Sequence, residues 1–295
     1  MSERAQAVGG PIFTRPVRLF AALFAIGALM ILWRLAAGLG ATTALSDGYP
    51  WGLWIAFDVV VGTALACGGY AVALLVYVLN RGKYHPLIRP AVLTSALGYT
   101  IAGVSVFLDV GKPWVIWKIP VFVWSWNLNS ALLEVALCIM SYMLVLWVEL
   151  SPAFLERIAE GPDSGIQRFA KKALPVLEKA LLWIMGLGML LPTMHQSSLG
   201  SLMVLAGPKV HGLWWSPFLP LLFLISCIAM GYAAVVFEAT LSTVFFHRRS
   251  EIDMLAGLAK TMRPLLGAFL VLRFADLAWR GKLALAFAFG WAPSL

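Results

Sequence analysis

Along the chain, seven stretches of nearly unbroken apolar residues alternate with short segments that hold most of the charge. They run approximately Leu19–Leu39, Trp51–Val78, Ala91–Leu108, Ser130–Val148, Ala173–Leu191, Pro217–Phe246 and Pro264–Leu277. An α-helix needs roughly 20 apolar residues to cross the hydrocarbon core of a bilayer, and the pattern predicts about seven such spans. The seventh is the weakest, with Arg273 and Asp276 near its end. After it, LALAFAFGWAPSL reads as an interfacial segment or the start of a further span. The predicted fold is all-α: a polytopic transmembrane helix bundle forming one integral membrane domain over residues 1–295. Within it, 1–18 is an N-terminal segment, 19–277 the bundle, and 278–295 an outer-face segment or incomplete span.

Composition strengthens that reading. Of 295 residues, 61% are hydrophobic and 12% charged, against about half and a quarter in a soluble domain. No single soluble core could bury so much apolar surface, so lipid is the expected solvent. The formal charge of +8 does not point to nucleic acid, because the basic residues alternate with the spans. Arg4, Arg15 and Arg18, then Arg81, Lys83 and Arg89, then Arg157, Arg168, Lys171 and Lys172, then Arg248, Arg249 and Lys260 fall on one side. The other side holds Lys112, Lys118 and Lys209, with Arg280 and Lys282 at the end. The positive-inside rule then puts the N-terminus in the cytoplasm. Segments Ala41–Pro50, Val110–Asn129 and Pro192–Ser216 and the C-terminal end face outward. Residues 2–18 lack the short apolar core and cleavage site of a signal peptide, so the first span is expected to be retained.

The candidate chemistry is sparse. Cys67, Cys138 and Cys227 are dispersed in apolar runs and predict neither a zinc site nor an iron–sulfur cluster. His85 and His247 fall in basic loops, and His195 and His211 in one outer segment. With no histidine placed mid-span to bracket a haem iron, the expectation is a subunit with no haem and no resident metal. Ionisable residues inside spans suggest function by default: Asp58 in the second, Asp109 ending the third, Glu134 in the fourth and Glu238 in the sixth. The plainer alternative for each is a buried ion pair between helices, with Arg34 near the outer end of the first span as one partner. Thirteen tryptophans, many in outer loops, fit an aromatic belt at the lipid boundary. Gly62, Ala66 and Gly69 in GTALACGGYA allow close helix packing. Asn127 and Asn129 read as helix N-caps.

The stretch LLPTMHQSSLGSLMVLAGPKVHGLWWSP, Leu190–Pro217, gathers Thr193, His195, Gln196, Ser197, Ser198 and His211 between two apolar runs. It reads either as a polar loop or as one wall of a head-group pocket at the outer face. Together with GGPIFTRPVRLF, DGYPWGLWIAFDVVVGTALACGGYA, NRGKYHPLIRPAVL, KVHGLWW and RFADLAWRGKLALAF, it resembles the integral membrane subunit of hydrogenase-2-type uptake nickel–iron hydrogenases. That subunit belongs to the polysulfide reductase membrane-subunit (NrfD-like) family, and the likeness spans essentially the whole chain.

The resemblance implies a haem-free subunit of a bacterial inner membrane that exchanges electrons with menaquinone, an exchangeable substrate. Its implied partners are an outer-face ferredoxin-like iron–sulfur subunit and, through it, the hydrogenase large and small subunits. Matching motifs assign the head group to Trp51, Asp58, His195, Gln196 and Ser197, with His195, Asp58 and Asp109 as the proton-handling catalytic set. Glu134 and Glu238 match the family's intramembrane glutamates on a proton path. The family's subunits have about ten spans, so a chain with seven and an apolar tail is expected to be a shortened, truncated or split relative. A rival reading, a proton-coupled secondary transporter or proton channel, predicts midplane binding and internal symmetry. The clustering of polar residues at the outer face favours the quinone-reactive subunit.

Overall fold

In a computed structural model of the chain, residues 13–43, 45–46, 56–207, 211–246 and 251–287 are described. Among them are seven helices long and apolar enough to cross a membrane. They are α1 (Arg15–Ala37), α2 (Phe57–Val78), α3 (Gly82–Asp109), α4 (Ala131–Ala159), α5 (Gly165–Leu205), α6 (Leu219–Phe246) and α7 (Ile252–Trp279). The predicted number and order of spans hold, and the protein is a multi-pass helix bundle. Helix α2 sits at its centre, packed on α3, α5 and α6, while α4 bridges α3 and α5 and α7 leans on α6.

The structure corrects the ends of several spans, α5 most of all. Its polar residues from Pro192 to Ser201 form no outer loop; they continue a helix of 41 residues. At a rise of 1.5 Å per residue this helix is about 60 Å long, twice the hydrocarbon thickness. Pro192 removes one main-chain donor, but the side chains that follow satisfy themselves along the helix. Thr193 Oγ1 donates to the Met189 carbonyl at 2.8 Å, Ser197 Oγ to Thr193 at 3.0 Å and Ser198 Oγ to Met194 at 2.9 Å. Residues that read as loop formers therefore sit in helix, with Pro192 alone among them costing a main-chain bond. At the start of α4 the N-cap is Ser130, whose Oγ accepts from the Leu133 amide at 3.3 Å. Asn127 instead closes a turn onto the Asn129 amide.

Helix α2 is irregular. A π-helical turn over Ala56–Val61 and another over Leu74–Val78 flank a break at Ala66 and Cys67, whose ψ angles of 0° and 11° leave the helical range. The Gly69 amide turns to Ser95 Oγ of α3 at 2.8 Å. Small residues let neighbours close over the break. A Cβ on Gly231 of α6 would stand 2.6 Å from the Cys67 carbonyl oxygen, and one on Gly98 of α3 would stand 2.6 Å from Ala66 Cβ. Of the small residues recognised in the sequence, Ala66 and Gly69 face α3 closely, while Gly62 meets only its own helix. Gly98 and Gly231, on the neighbouring helices, seat α3 and α6 against the break.

The charges that weakened the seventh span form a buried ion cluster. Asp276 is 3% exposed and is gripped by Arg280 at 2.8 Å and Arg273 at 3.6 Å. Arg273 also donates to the Leu213 carbonyl, and Arg280 lies 5.6 Å from the Trp215 ring. This cluster fastens the turn at 211–216 to the end of α7, which explains how a charged segment remains part of a long helix.

Candidate functional site

Two polar sites lie along the bundle. The first is closed. His195 and Gln196 of α5 are 0% and 1% exposed, which corrects the placement of His195 in an outer loop. His195 Nδ1 faces the Leu191 carbonyl at 3.3 Å. With the proton placed on Nδ1, Nε2 is an acceptor, and Tyr99 Oη and Gln196 Nε2 each approach it at 3.0 Å. Gln196 Nε2 also donates to Thr63 Oγ1 at 3.1 Å, and the Thr63 hydroxyl donates to the Val59 carbonyl. Tyr99 Oη lies 3.3 Å from Cys67 Sγ at the α2 break. The Tyr142 ring stands edge-on to Tyr99, with centroids 4.6 Å apart. Both ring nitrogens of His195, the Tyr99 hydroxyl and the Gln196 amide nitrogen find partners within the protein, as burial in a low-dielectric medium requires.

The second site is open. A cavity of about 310 Å³ lies between the ends of α1, α2 and α3, walled by Met30, Trp33, Arg34, Asp58, Ser105 and Asp109 among others. Arg34, only 8% exposed, donates through Nη2 to the Val110 carbonyl at 2.5 Å. Its Nε is buried and has no hydrogen-bond partner among the described residues. Apolar walls with a few converging polar groups and a volume near 300 Å³ are the usual form of a small-molecule site.

The structure therefore brings together Asp58 and Asp109, and separately His195 and Gln196. It does not put His195 in the cavity. Asp109 lies ten residues beyond Tyr99 on α3, about 15 Å along the axis, so the histidine cluster is deeper in the bundle. Ser197 is half-buried and bonded to its own helix. Glu134 is exposed on the first turn of α4, and Glu238 is half-buried on α6. Neither lines the cavity or bonds to the cluster. Trp51 lies outside the described residues.

Sequence reasoning missed Tyr99 as a partner of His195, and Thr63 and Cys67 as the groups against Gln196 and Tyr99. Tyrosines placed mid-span were the available signal, since a buried phenol needs a partner for its hydroxyl. Arg34, which the sequence suggests only as an ion-pair partner, is the basic wall of the cavity.

The family model described as Polysulphide reductase, NrfD matches residues 41–289. Over 293 residues the chain is 45% identical to the probable Ni/Fe-hydrogenase 2 b-type cytochrome subunit of Escherichia coli (strain K12), covering 98% of this chain and 71% of the relative. It is 33% identical over 253 residues to the menaquinone reductase integral membrane subunit of Nitratidesulfovibrio vulgaris, covering 83% of this chain and 58% of that one. It is 24% identical over 237 residues to a selenate reductase subunit of Mesobacillus selenatarsenatis, covering 72% and 53%. The chain thus spans between about half and seven-tenths of the length of these relatives.

One of these names corrects the expectation of a haem-free subunit. A b-type cytochrome is a haem protein, and a relative so named at 45% identity overturns that expectation. The described histidines do not form a pair suited to a bis-histidine haem. His85 and His211 are exposed, and both ring nitrogens of His195 are engaged by Leu191, Tyr99 and Gln196. Among the described residues no group of three or more His, Cys, Asp or Glu could hold a metal ion. With a family match over most of its length and a bundle of seven apolar helices, the chain belongs to the polysulphide reductase, NrfD, family of multi-pass integral membrane proteins.

Proposed function

We propose that this chain is the quinone-reactive membrane subunit of a respiratory uptake nickel–iron hydrogenase in a bacterial inner membrane. It takes electrons from a ferredoxin-like iron–sulfur subunit, itself fed by the hydrogenase large and small subunits, and passes them to menaquinone. The names of the hydrogenase and menaquinone reductase relatives support this reading. The observation that carries it is the cavity of about 310 Å³ with Arg34, Asp58 and Asp109 at its wall.

Reducing a quinone takes two electrons and two protons, and charge builds on the carbonyl oxygens between them. Donors already in place are worth most there, because they need not reorganise. Arg34 Nε, buried and unpartnered among the described residues, is such a donor. Asp58 and Asp109 supply protons at the head group, and the isoprenoid tail runs out along the apolar faces of α1. His195 acts one step removed: with Tyr99 it holds and hands on protons below the cavity. Glu134 and Glu238 belong to the proton path at the bundle's periphery. The segment between α3 and α4, with exposed Trp114, Trp117 and Trp124 beside Lys112 and Lys118, offers the docking face. That face is outside when the N-terminus is cytoplasmic.

The interrupted α2 is the feature that favours the rival, a proton-coupled transporter or proton channel. The two are separated by assaying the complete complex in membranes. Asp58→Asn and Asp109→Asn are each expected to lower hydrogen-dependent quinone reduction about a hundredfold, while reduction of an artificial dye by the hydrogenase pair is unchanged. Full quinone reduction in both variants, or proton flux from this subunit without its partners, points to the rival.

A further inference from the structure

At the opposite end of the bundle from the cavity, α4 carries an acid that no other part of the site uses. Glu149 lies fifteen residues beyond Glu134 on the same helix, about 22 Å along it. It is half-buried and makes no hydrogen bond among the described residues. It faces a second, small cavity of about 10 Å³, walled by Tyr70, Tyr77, Tyr142, Met185 and Gly188, room for about one water. Gly188 matters at this contact. A Cβ there would stand 3.4 Å from Glu149 Oε2, at the edge of ordinary van der Waals contact, so the carboxyl lies close over α5. Pro192, one turn on, has no N–H to give the Gly188 carbonyl, which leaves a further acceptor at the same place.

This cavity leads toward the closed cluster. Tyr70 Oη donates to Thr193 Oγ1 at 2.7 Å, two residues before His195. Tyr142 walls the cavity and packs edge-on against Tyr99, whose hydroxyl reaches His195 at 3.0 Å. On α3 the order along the axis is Val92 at the small cavity, Tyr99 at the cluster and Asp109 at the large one. That sequence covers about 25 Å, most of a bilayer's hydrocarbon thickness. Acids inside membrane helices are rare and suggest function by default, and this one faces tyrosines packed between it and the His195 cluster.

We propose that Glu149 is the proton-loading residue for this route. It takes a proton from the end of the bundle where Arg89 and Glu156 pair at the surface. It passes the proton through a water held by the tyrosines to the Tyr99–His195 cluster, and is left as a carboxylate that reloads. Each relay group gains one proton and loses one. The quinone, supplied with two electrons by the partner subunit, takes up two protons and leaves as quinol. The inference rests on the quinone reading above.

The test uses the complete complex, purified and given hydrogen and a quinone analogue. Glu149→Gln is expected to slow quinone reduction about tenfold, leaving dye reduction and quinone binding unchanged. Azide, a small weak acid that carries protons, is expected to restore the rate. Infrared difference spectra between the oxidised and reduced complex should show a carboxyl band in the wild type that Glu149→Gln lacks. Should Glu149→Gln not assemble, Glu149→Asp, which keeps the acid one methylene shorter, is expected to be slowed, rescued by azide, and to shift that band. Unchanged quinone reduction with an unchanged infrared spectrum overturns the assignment, and so does a loss that azide does not relieve. If the quinone reading itself fails, the wild-type complex leaves the quinone unreduced under hydrogen, a result distinct from either.

Discussion

The closed cluster around His195 and the open cavity around Asp58 are both polar sites in an apolar bundle, built partly on the same two helices. They differ in what is left over. Around His195 both ring nitrogens are bonded, Gln196 is tied to Thr63, and the rings of Tyr99 and Tyr142 pack edge-on beside them. Around Asp58 there is a cavity of about 310 Å³ and a buried guanidinium nitrogen without a partner among the described residues. Polarity by itself does not mark a ligand site. Space together with an unspent hydrogen bond does, and by that standard the cavity at Arg34, Asp58 and Asp109 is the better candidate for the proposed head group. The histidine, 0% exposed and bonded at both ring nitrogens, has no room left for a head group.

The comparison breaks most completely if the closed cluster loses its shape. Gly231→Leu places a side chain where even a Cβ would sit 2.6 Å from the Cys67 carbonyl oxygen. Backbone on the far side leaves no room to yield, and overpacking of this kind costs about 1–3 kcal/mol or more. Accumulation of the membrane-inserted subunit, measured by immunoblot, is expected to collapse. Gly27→Leu is the control: nothing lies within 4 Å of a Cβ there, and none of the apolar window of α1 is buried, against 56% of that of α2. Equal loss in both would mean that the α2–α6 contact has no special part in the fold.

Next in size is His195→Ala. It deletes the acceptor shared by Tyr99 and Gln196 and strands buried donors, at about 1–3 kcal/mol. Hydrogen-dependent quinone reduction is expected to fall about a hundredfold, with dye reduction intact. Because His195 does not wall the large cavity, quinone binding should persist, whereas loss of binding would place the histidine at the head group after all. The two sites are thereby separated by whether a variant turns over slowly or fails to bind.

How much of this is legible in the sequence follows from the kind of signal each feature leaves. Spans announce themselves by apolar length, and six of the seven are placed within several residues at one end or both. Asp58 and Asp109 stand out because ionisable residues inside apolar runs are rare, and the structure does bring them to one cavity. The extension of α5 is hidden because Pro, Ser, Thr and His are turn formers in water; in this helix they turn their hydroxyl and ring hydrogens back onto the preceding carbonyls. Glu149 is hidden by its place at the predicted edge of a span, in WVELSP, where a charge looks like an exit into water. The helix runs ten residues further, to Ala159. The break in α2 leaves only CGG as a trace, which reads as packing unless the neighbours pressed against it are known.

Ser197 gives the smallest expected effect and the finest distinction. In the sequence it belongs to a His-Gln-Ser-Ser motif that looks built for a head group, and the three polar neighbours invite a single role. The helix divides them. His195 and Gln196 turn into the bundle, while Ser197 spends its hydroxyl on the Met194 carbonyl at 2.8 Å and the Thr193 carbonyl at 3.0 Å. A serine bonded back to its own helix slightly weakens it, so replacing it by alanine, the best helix former, removes no contact outside α5. Ser197→Ala is expected to change quinone reduction by less than about twofold and to leave stability within about 0.5 kcal/mol. A loss approaching that of His195→Ala would show the hydroxyl turning outward to a ligand during turnover, and would reunite the motif at the head group.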